Sequence, residues 1–113
     1  MKLIIQVPCY NEAATLPEML KHLPRKVAGF KKVEWLVIDD GSGDGTAECA
    51  RKHAVDHVVS FTRNMGLARA FMAGIDACLH LGADVIVNTD ADDQYDARDI
   101  PALTRRILER RAE

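Results

Sequence analysis

Val33-Glu34-Trp35-Leu36-Val37-Ile38-Asp39-Asp40-Gly41-Ser42-Gly43 reads as an apolar strand that runs without a spacer into an acidic, glycine-bearing loop. The same grammar recurs along the chain. Leu3-Ile4-Ile5-Gln6-Val7 is a short apolar run that is expected to stop at Pro8 and to open into Pro8-Cys9-Tyr10-Asn11-Glu12. His57 to Phe61 leads into Thr62-Arg63-Asn64-Met65-Gly66, and Asp84-Val85-Ile86-Val87-Asn88 leads towards Asp90-Ala91-Asp92-Asp93-Gln94.

Helical patterns fill the intervals. Thr15-Leu16-Pro17-Glu18 has capping-box spacing with Pro17 in a first turn, and Leu16, Met19, Leu20 and Leu23 follow at helical spacing up to Pro24. A second helix is expected from Asp44 or Thr46 to His53. A third runs from Met65 to Leu81, with Leu67, Ala70, Phe71, Gly74, Ile75, Cys78 and Leu79 on one stripe and Gly82 as its stop. Ile100 to Arg110 makes a last one. Alternation of strand and helix predicts an α/β fold of three layers, α/β/α, around a mostly parallel sheet.

The totals fit that expectation. A chain of 113 residues with 48% apolar and 28% charged residues suits one globular domain. Its 15 Lys+Arg against 17 Asp+Glu give a formal charge of −2, which offers no electrostatic case for a nucleic-acid partner. Cys9, Cys49 and Cys78 are odd in number and lie in or beside apolar stretches. They read as small buried hydrophobes in a reducing compartment, which points to a cytoplasmic location, and not as a disulfide framework or a zinc site. His22, His53, His57 and His80 show no ligand spacing to one another. No apolar stretch approaches the roughly 20 residues of a membrane span. The chain ends on Arg105-Arg106-Ile107-Leu108-Glu109-Arg110-Arg111-Ala112-Glu113 without a helix stop, from which we expect residues 1–113 to be one domain truncated at its C-terminus, its parent able to carry a membrane anchor elsewhere.

If the strands are parallel, all four loops lie on one edge of the sheet, where open α/β folds bind ligands. Asp90, Asp92 and Asp93 crowd three carboxylates into four residues, and a hard cation such as Mg²⁺ or Mn²⁺ relieves their repulsion, with Gln94 adding a neutral oxygen. Such a cation also lets an acidic loop hold an anionic diphosphate. Taken alone, an Asp-x-Asp is better read as a solvated turn. One of Asp39 and Asp40 can accept from the polar edge of a uracil or guanine while the other caps the Gly41 turn. Tyr10 offers a stacking face or a hydroxyl for a ribose, and Arg63 a partner for phosphate or base. Glu12 reads more simply as a solvated first-turn residue.

Together these loops resemble the family 2 glycosyltransferases of the GT-A fold, in particular the branch that includes dolichyl-phosphate mannose synthase. Pro8-Cys9-Tyr10-Asn11-Glu12 is similar to the opening P-x-Y-N-E motif, and Asp39-Asp40-Gly41-Ser42-Gly43-Asp44-Gly45-Thr46 to D-D-G-S-x-D-G-T. Arg63-Asn64-Met65-Gly66 is similar to R-N-x-G, and Asp90-Ala91-Asp92-Asp93-Gln94 to the D-A-D-x-Q metal motif. The resemblance covers the whole chain. It implies the Rossmann-like donor half of a GT-A fold that binds a UDP-, GDP- or dTDP-sugar. Pro8, Tyr10, Asn11, Glu12, Asp39, Asp40, Arg63 and Asp90 would line the substrate site, and Asp90, Asp92 and Gln94 would hold Mg²⁺ or Mn²⁺. Inverting transfer to a polyprenyl phosphate or a saccharide would follow, with the acceptor half and any catalytic base outside these residues.

Two departures, Asp96-Ala97 in place of prolines and Leu67 in place of a basic residue, weaken the polyprenyl-phosphate assignment and leave the acceptor open. A receiver-type phosphotransfer domain would also gather aspartates around Mg²⁺, but no lysine follows the fourth strand. A haloacid-dehalogenase-type phosphatase would want its aspartate where Pro8-Cys9-Tyr10 stands. A non-catalytic nucleotide-binding module is the remaining alternative.

Overall fold

The computed structural model describes residues 1–89, 100–101, 104–106 and 109. Strands β1 (Lys2–Cys9), β2 (Lys32–Asp39), β3 (His57–Ser60) and β4 (Val85–Asn88) alternate with helices α1 (Leu16–Lys21), α2 (Thr46–Lys52) and α3 (Leu67–His80). The strands make a four-stranded parallel sheet in the order β3-β2-β1-β4. Ile100, Pro101, Thr104, Arg105, Arg106 and Glu109 are helical, where the last helix is expected.

Both faces of the sheet are covered, which is why the strands read as nearly continuous apolar runs. Leu3, Ile5, Val7, Cys9, Trp35, Val37, Val85 and Val87 pack on one side with Leu16, Met19 and Leu20 of α1, Ala50 of α2 and Ile100. Ile4, Leu36 and Ile38 pack on the other beneath Ala70 and Cys78 of α3. Gln6 is the polar exception on that second face and is fully buried. Its amide Nε2 donates to Asn88 Oδ1 at 2.9 Å and to the Phe71 carbonyl at 3.5 Å, so a central strand is tied to both β4 and α3. Gly74 makes room for it: a Cβ there would lie 2.1 Å from Gln6 Oε1.

Three expectations change. Pro8 does not end β1, which continues to Cys9. The carbonyl of Gln6 faces Thr89 N–H and that of Cys9 faces Asp40 N–H, so alternate residues of β1 turn their polar groups to β4 and to β2. Pro8 falls on the β4 side, two residues past the last β1–β4 pair, Gln6↔Asn88, and its missing N–H interrupts nothing in the β1–β2 ladder. The capping box at Thr15 does not form. The Thr15 hydroxyl donates backwards instead, to the Glu12 carboxylate at 2.9 Å and to the Glu12 carbonyl at 3.3 Å. The apolar stripe of α3 is wider than its seat on the sheet. Ala70, Gly74 and Cys78 are buried, whereas Leu67 and Leu79 are 66% and 62% exposed and Phe71 is 37% exposed.

The amino-terminal edge of the sheet is closed by charge. Glu34 Oε1 meets His57 Nε2 at 3.0 Å and Lys2 Nζ at 3.5 Å. Arg25 stacks 3.4 Å from the Trp35 ring centroid and pairs with Asp56 at 2.7 Å.

Two outcomes follow from this packing. Gly74→Ala should destabilise the fold by about 1–3 kcal/mol, because a rigid Cβ meets the buried Gln6 amide; an unchanged urea midpoint would contradict it. The Glu34 carboxyl is held below its ordinary value of 4.5, first by the His57 hydrogen bond. A lowered pKa stabilises above the ordinary value and is lost as pH falls through the lowered one. The melting-temperature gap between wild type and Glu34→Gln should therefore persist above pH 4.5 and close in more acid solution. A gap that widens in acid would be inconsistent with the pairing.

Candidate functional site

A parallel sheet delivers every strand at the same edge, and the order β3-β2-β1-β4 puts the loops after β1 and β4 on either side of the point where the chain reverses its direction of sheet growth. Ligands of open α/β sheets bind in that crevice. The loops after β1, β2 and β3 are within the described residues. Asp90, Asp92, Asp93 and Gln94 lie outside them.

The first two loops are sewn together by side chains. Asn11 adopts φ 51°, a left-handed conformation that asparagine tolerates. In it the Asn11 N–H donates to Ser42 Oγ at 2.8 Å, and Asn11 Oδ1 accepts from Gly43 N–H at 3.0 Å. Glu12 N–H donates to Thr46 Oγ1 at 3.1 Å, and Ala13 N–H to Asp44 Oδ2 at 3.1 Å. Thr46, fully buried at the start of α2, donates a hydrogen bond from its own hydroxyl to Asp44 Oδ1. That bond is the foremost cause of an Asp44 carboxyl held below its ordinary value.

The second and third loops are joined through Asp40, which is 4% exposed. Its Oδ1 accepts from Met65 N–H at 2.7 Å, and its Oδ2 accepts from Gly66 N–H and Asn64 Nδ2, each at 3.1 Å. The carboxylate thus meets the N-terminus of α3, where negative charge is favoured. Gly41, at φ 73°, presses on the same loop: a Cβ there would lie 2.1 Å from the Arg63 carbonyl carbon and 2.3 Å from Asn64 N. Asp39, at the end of β2, is also buried; its Oδ1 accepts from Ser42 N–H at 3.0 Å.

The expected site residues therefore separate by what they do in the fold. Tyr10, 49% exposed, and Arg63, also exposed, stand at the edge with Asp39 and are free of the stitching between the first two loops. Asn11 and Asp40 spend their side chains on neighbouring loops. Pro8 is buried within β1, and the Glu12 carboxylate holds Thr15. Ser42, Asp44, Thr46, Asn64 and Met65 are the residues that sequence reasoning passed over. For Ser42, Asp44 and Thr46 the signal was the spacing of short oxygen-bearing side chains among glycines, which favours local hydrogen bonds to backbone amides.

Carboxylates gather at the edge: burial first, and then the charges of Glu12, Asp39 and Asp44, push the Cys9 thiol far above the ordinary range. A thiol so placed stays protonated and is no nucleophile. The same carboxylates would repel a diphosphate that came without a cation.

Comparison with known proteins gives a consistent picture. The sequence profile described as Glycosyl transferase family 2 matches residues 4–113. The undecaprenyl-phosphate 4-deoxy-4-formamido-L-arabinose transferase of Salmonella choleraesuis (strain SC-B67) is 36% identical over 114 residues, covering 96% of this chain and 34% of the relative. The protein of that name from Salmonella paratyphi B is also 36% identical, with the same coverage. The chain thus spans about a third of the length of the curated relatives it matches. A mannosyltransferase of Pyrobaculum calidifontis, solved in complex with GDP-Man and Mn²⁺, superposes with a TM-score of 0.67 at 32% identity, over 86% of this chain and 29% of that one. TarS residues 1–349 from S. aureus superpose with a TM-score of 0.72 at 22% identity, over 96% and 33%, a likeness of fold.

Thr46→Val keeps the shape of the buried side chain but leaves Glu12 N–H without its acceptor and Asp44 Oδ1 with the Thr46 N–H alone. It should destabilise the protein by about 1–3 kcal/mol and speed hydrogen exchange at Glu12 and Ala13. Unchanged exchange at both amides would show that the stitching is dispensable.

Proposed function

The chain belongs to Glycosyl transferase family 2, and from that premise we propose that it binds the nucleoside-diphosphate part of a sugar donor across the carboxyl edge of its sheet. What supports the proposal is that Tyr10, Asp39 and Arg63 stand on or beside the loops after β1, β2 and β3, which leave the parallel sheet at one edge and are joined by side-chain hydrogen bonds. Asp39 accepts from the polar edge of the base, Tyr10 stacks on the base or meets the ribose, and Arg63 pairs with phosphate or base.

Among the described residues no group of three or more His, Cys, Asp and Glu could hold a metal ion. The donor set we propose for one is Asp90, Asp92 and Gln94, whose hard oxygens suit Mg²⁺ or Mn²⁺. When bound, such a cation neutralises charge on the departing diphosphate as a Lewis acid. The Mn²⁺ and GDP-Man of the Pyrobaculum mannosyltransferase support this assignment and favour GDP among the candidate nucleotides. The names of the Salmonella relatives favour a polyprenyl phosphate over a saccharide as acceptor, despite Leu67 and Asp96-Ala97. No helix of the described residues is long and apolar enough to cross a membrane. Because the chain spans about a third of the length of its curated relatives, we propose a donor domain on the cytoplasmic side, with acceptor site, catalytic base and any membrane contact supplied by sequence outside residues 1–113, and inverting transfer by the whole protein.

Titration of isotope-labelled chain with GDP, UDP and dTDP, with and without Mg²⁺, tests the donor site. One nucleotide should shift Tyr10, Asp39 and Arg63 in a Mg²⁺-dependent way, and Asp92→Asn should weaken it by roughly tenfold or more, about 1.4 kcal/mol. A folded chain that responds to no nucleotide at millimolar concentration, or responds equally in the Asp92→Asn variant, would refute the assignment.

A further inference from the structure

Arg63 stands on a loop with little packing of its own, yet two contacts fix it. Its Nε donates to the Met65 thioether sulfur at 3.3 Å, a soft acceptor that occupies that N–H and leaves the terminal amino groups of the guanidinium to meet a ligand. Met65 in turn is pinned at its backbone: its N–H donates to Asp40 Oδ1 at 2.7 Å. Asp40 also takes Gly66 N–H and the Asn64 amide, so all of the loop after Arg63 hangs from one buried carboxylate. On the other side the Arg63 carbonyl carbon rests against the bare Cα of Gly41.

We infer that Asp40 and Met65 are positioning residues for Arg63: Asp40 sets the loop, Met65 orients the guanidinium, and neither touches the donor. The assignment rests on Arg63 meeting the nucleotide as proposed above, and it divides the adjacent aspartates, Asp39 facing the ligand and Asp40 facing the protein. Chemistry sets the division. Three of the roughly four lone-pair sites of the Asp40 carboxylate are engaged in directions fixed by the loop, and turning to a base would strand two backbone N–H groups.

A double-mutant cycle separates positioning from contact. GDP and UDP would be titrated with Mg²⁺ into the wild-type chain, Asp40→Asn, Arg63→Ala and the double variant. Asparagine keeps the shape of Asp40 but turns an NH₂ towards a donor, so Asp40→Asn should weaken the nucleotide about tenfold, and should weaken the Arg63→Ala chain no further. A double variant that loses the product of the two factors would show that Asp40 acts independently of Arg63 and overturn the inference.

Met65→Leu carries the test if Asp40→Asn does not fold. It leaves the Asp40 bonds in place and removes the sulfur. The Arg63 Nε–H resonance, read without nucleotide, should be protected from exchange in the wild type and exposed in Met65→Leu; equal exposure in both overturns the inference. A wild-type chain that binds neither nucleotide would instead sink the donor-site reading, and the Nε–H signal would still decide whether Met65 holds Arg63.

Discussion

Backbone N–H groups that leave a parallel sheet at its carboxyl edge have lost their ladder partners, and each needs an acceptor before a loop can hold one shape. In this chain short side chains supply them. Asn11, Ser42, Asp44 and Thr46 take the amides of the first two loops, and Asp40 takes those of the third. The sheet is indifferent to what stands on its edge; the stitching is what converts three flexible connections into a surface with fixed geometry.

The electrostatics of that surface follow from the same residues. Carboxylates are the strongest acceptors for backbone amides, so a stitched edge built on Asp40 and Asp44 is negative before any ligand arrives. Burial is the larger reason that the Cys9 thiol is pushed up, with the charges of Glu12, Asp39 and Asp44 adding to it. A site of this kind can hold a nucleoside diphosphate when cationic groups offset the field, and Arg63 together with a cation on Asp90, Asp92 and Gln94 is the offset we propose. The stitching and the ligand chemistry are in that sense one arrangement.

Much of the fold was legible. Apolar runs ending in acidic or glycine-bearing loops located the strands, and their alternation with helical patterns gave the parallel order and the shared edge. Pro8 misled because the sequence does not say which neighbour a strand residue faces; its ring turned out to lie past the end of the β4 pairing. Thr15 misled because Glu12, three residues earlier, competes for its hydroxyl. The outward half of the α3 stripe, with Leu67 and Leu79 exposed, shows that periodicity marks an apolar face without saying that the sheet covers all of it. The site was legible as a set of loops but not as a division of labour. Asp39 and Asp40 are the same residue type at adjacent positions, yet Asp39 accepts from Ser42 in its own loop and Asp40 from the third loop, against which Gly41 packs closely.

The central claim is that the stitched edge is a donor site. A crystal structure of the chain grown with GDP and Mn²⁺ tests it most directly, with the anomalous signal of the metal locating the cation. The account predicts the base against Asp39 and Tyr10, a phosphate or base edge within reach of Arg63, Asp40 still bound to Met65 and Gly66, and Mn²⁺ on the Asp90–Gln94 loop. Nucleotide seated elsewhere, or Mn²⁺ held away from that loop, would contradict it.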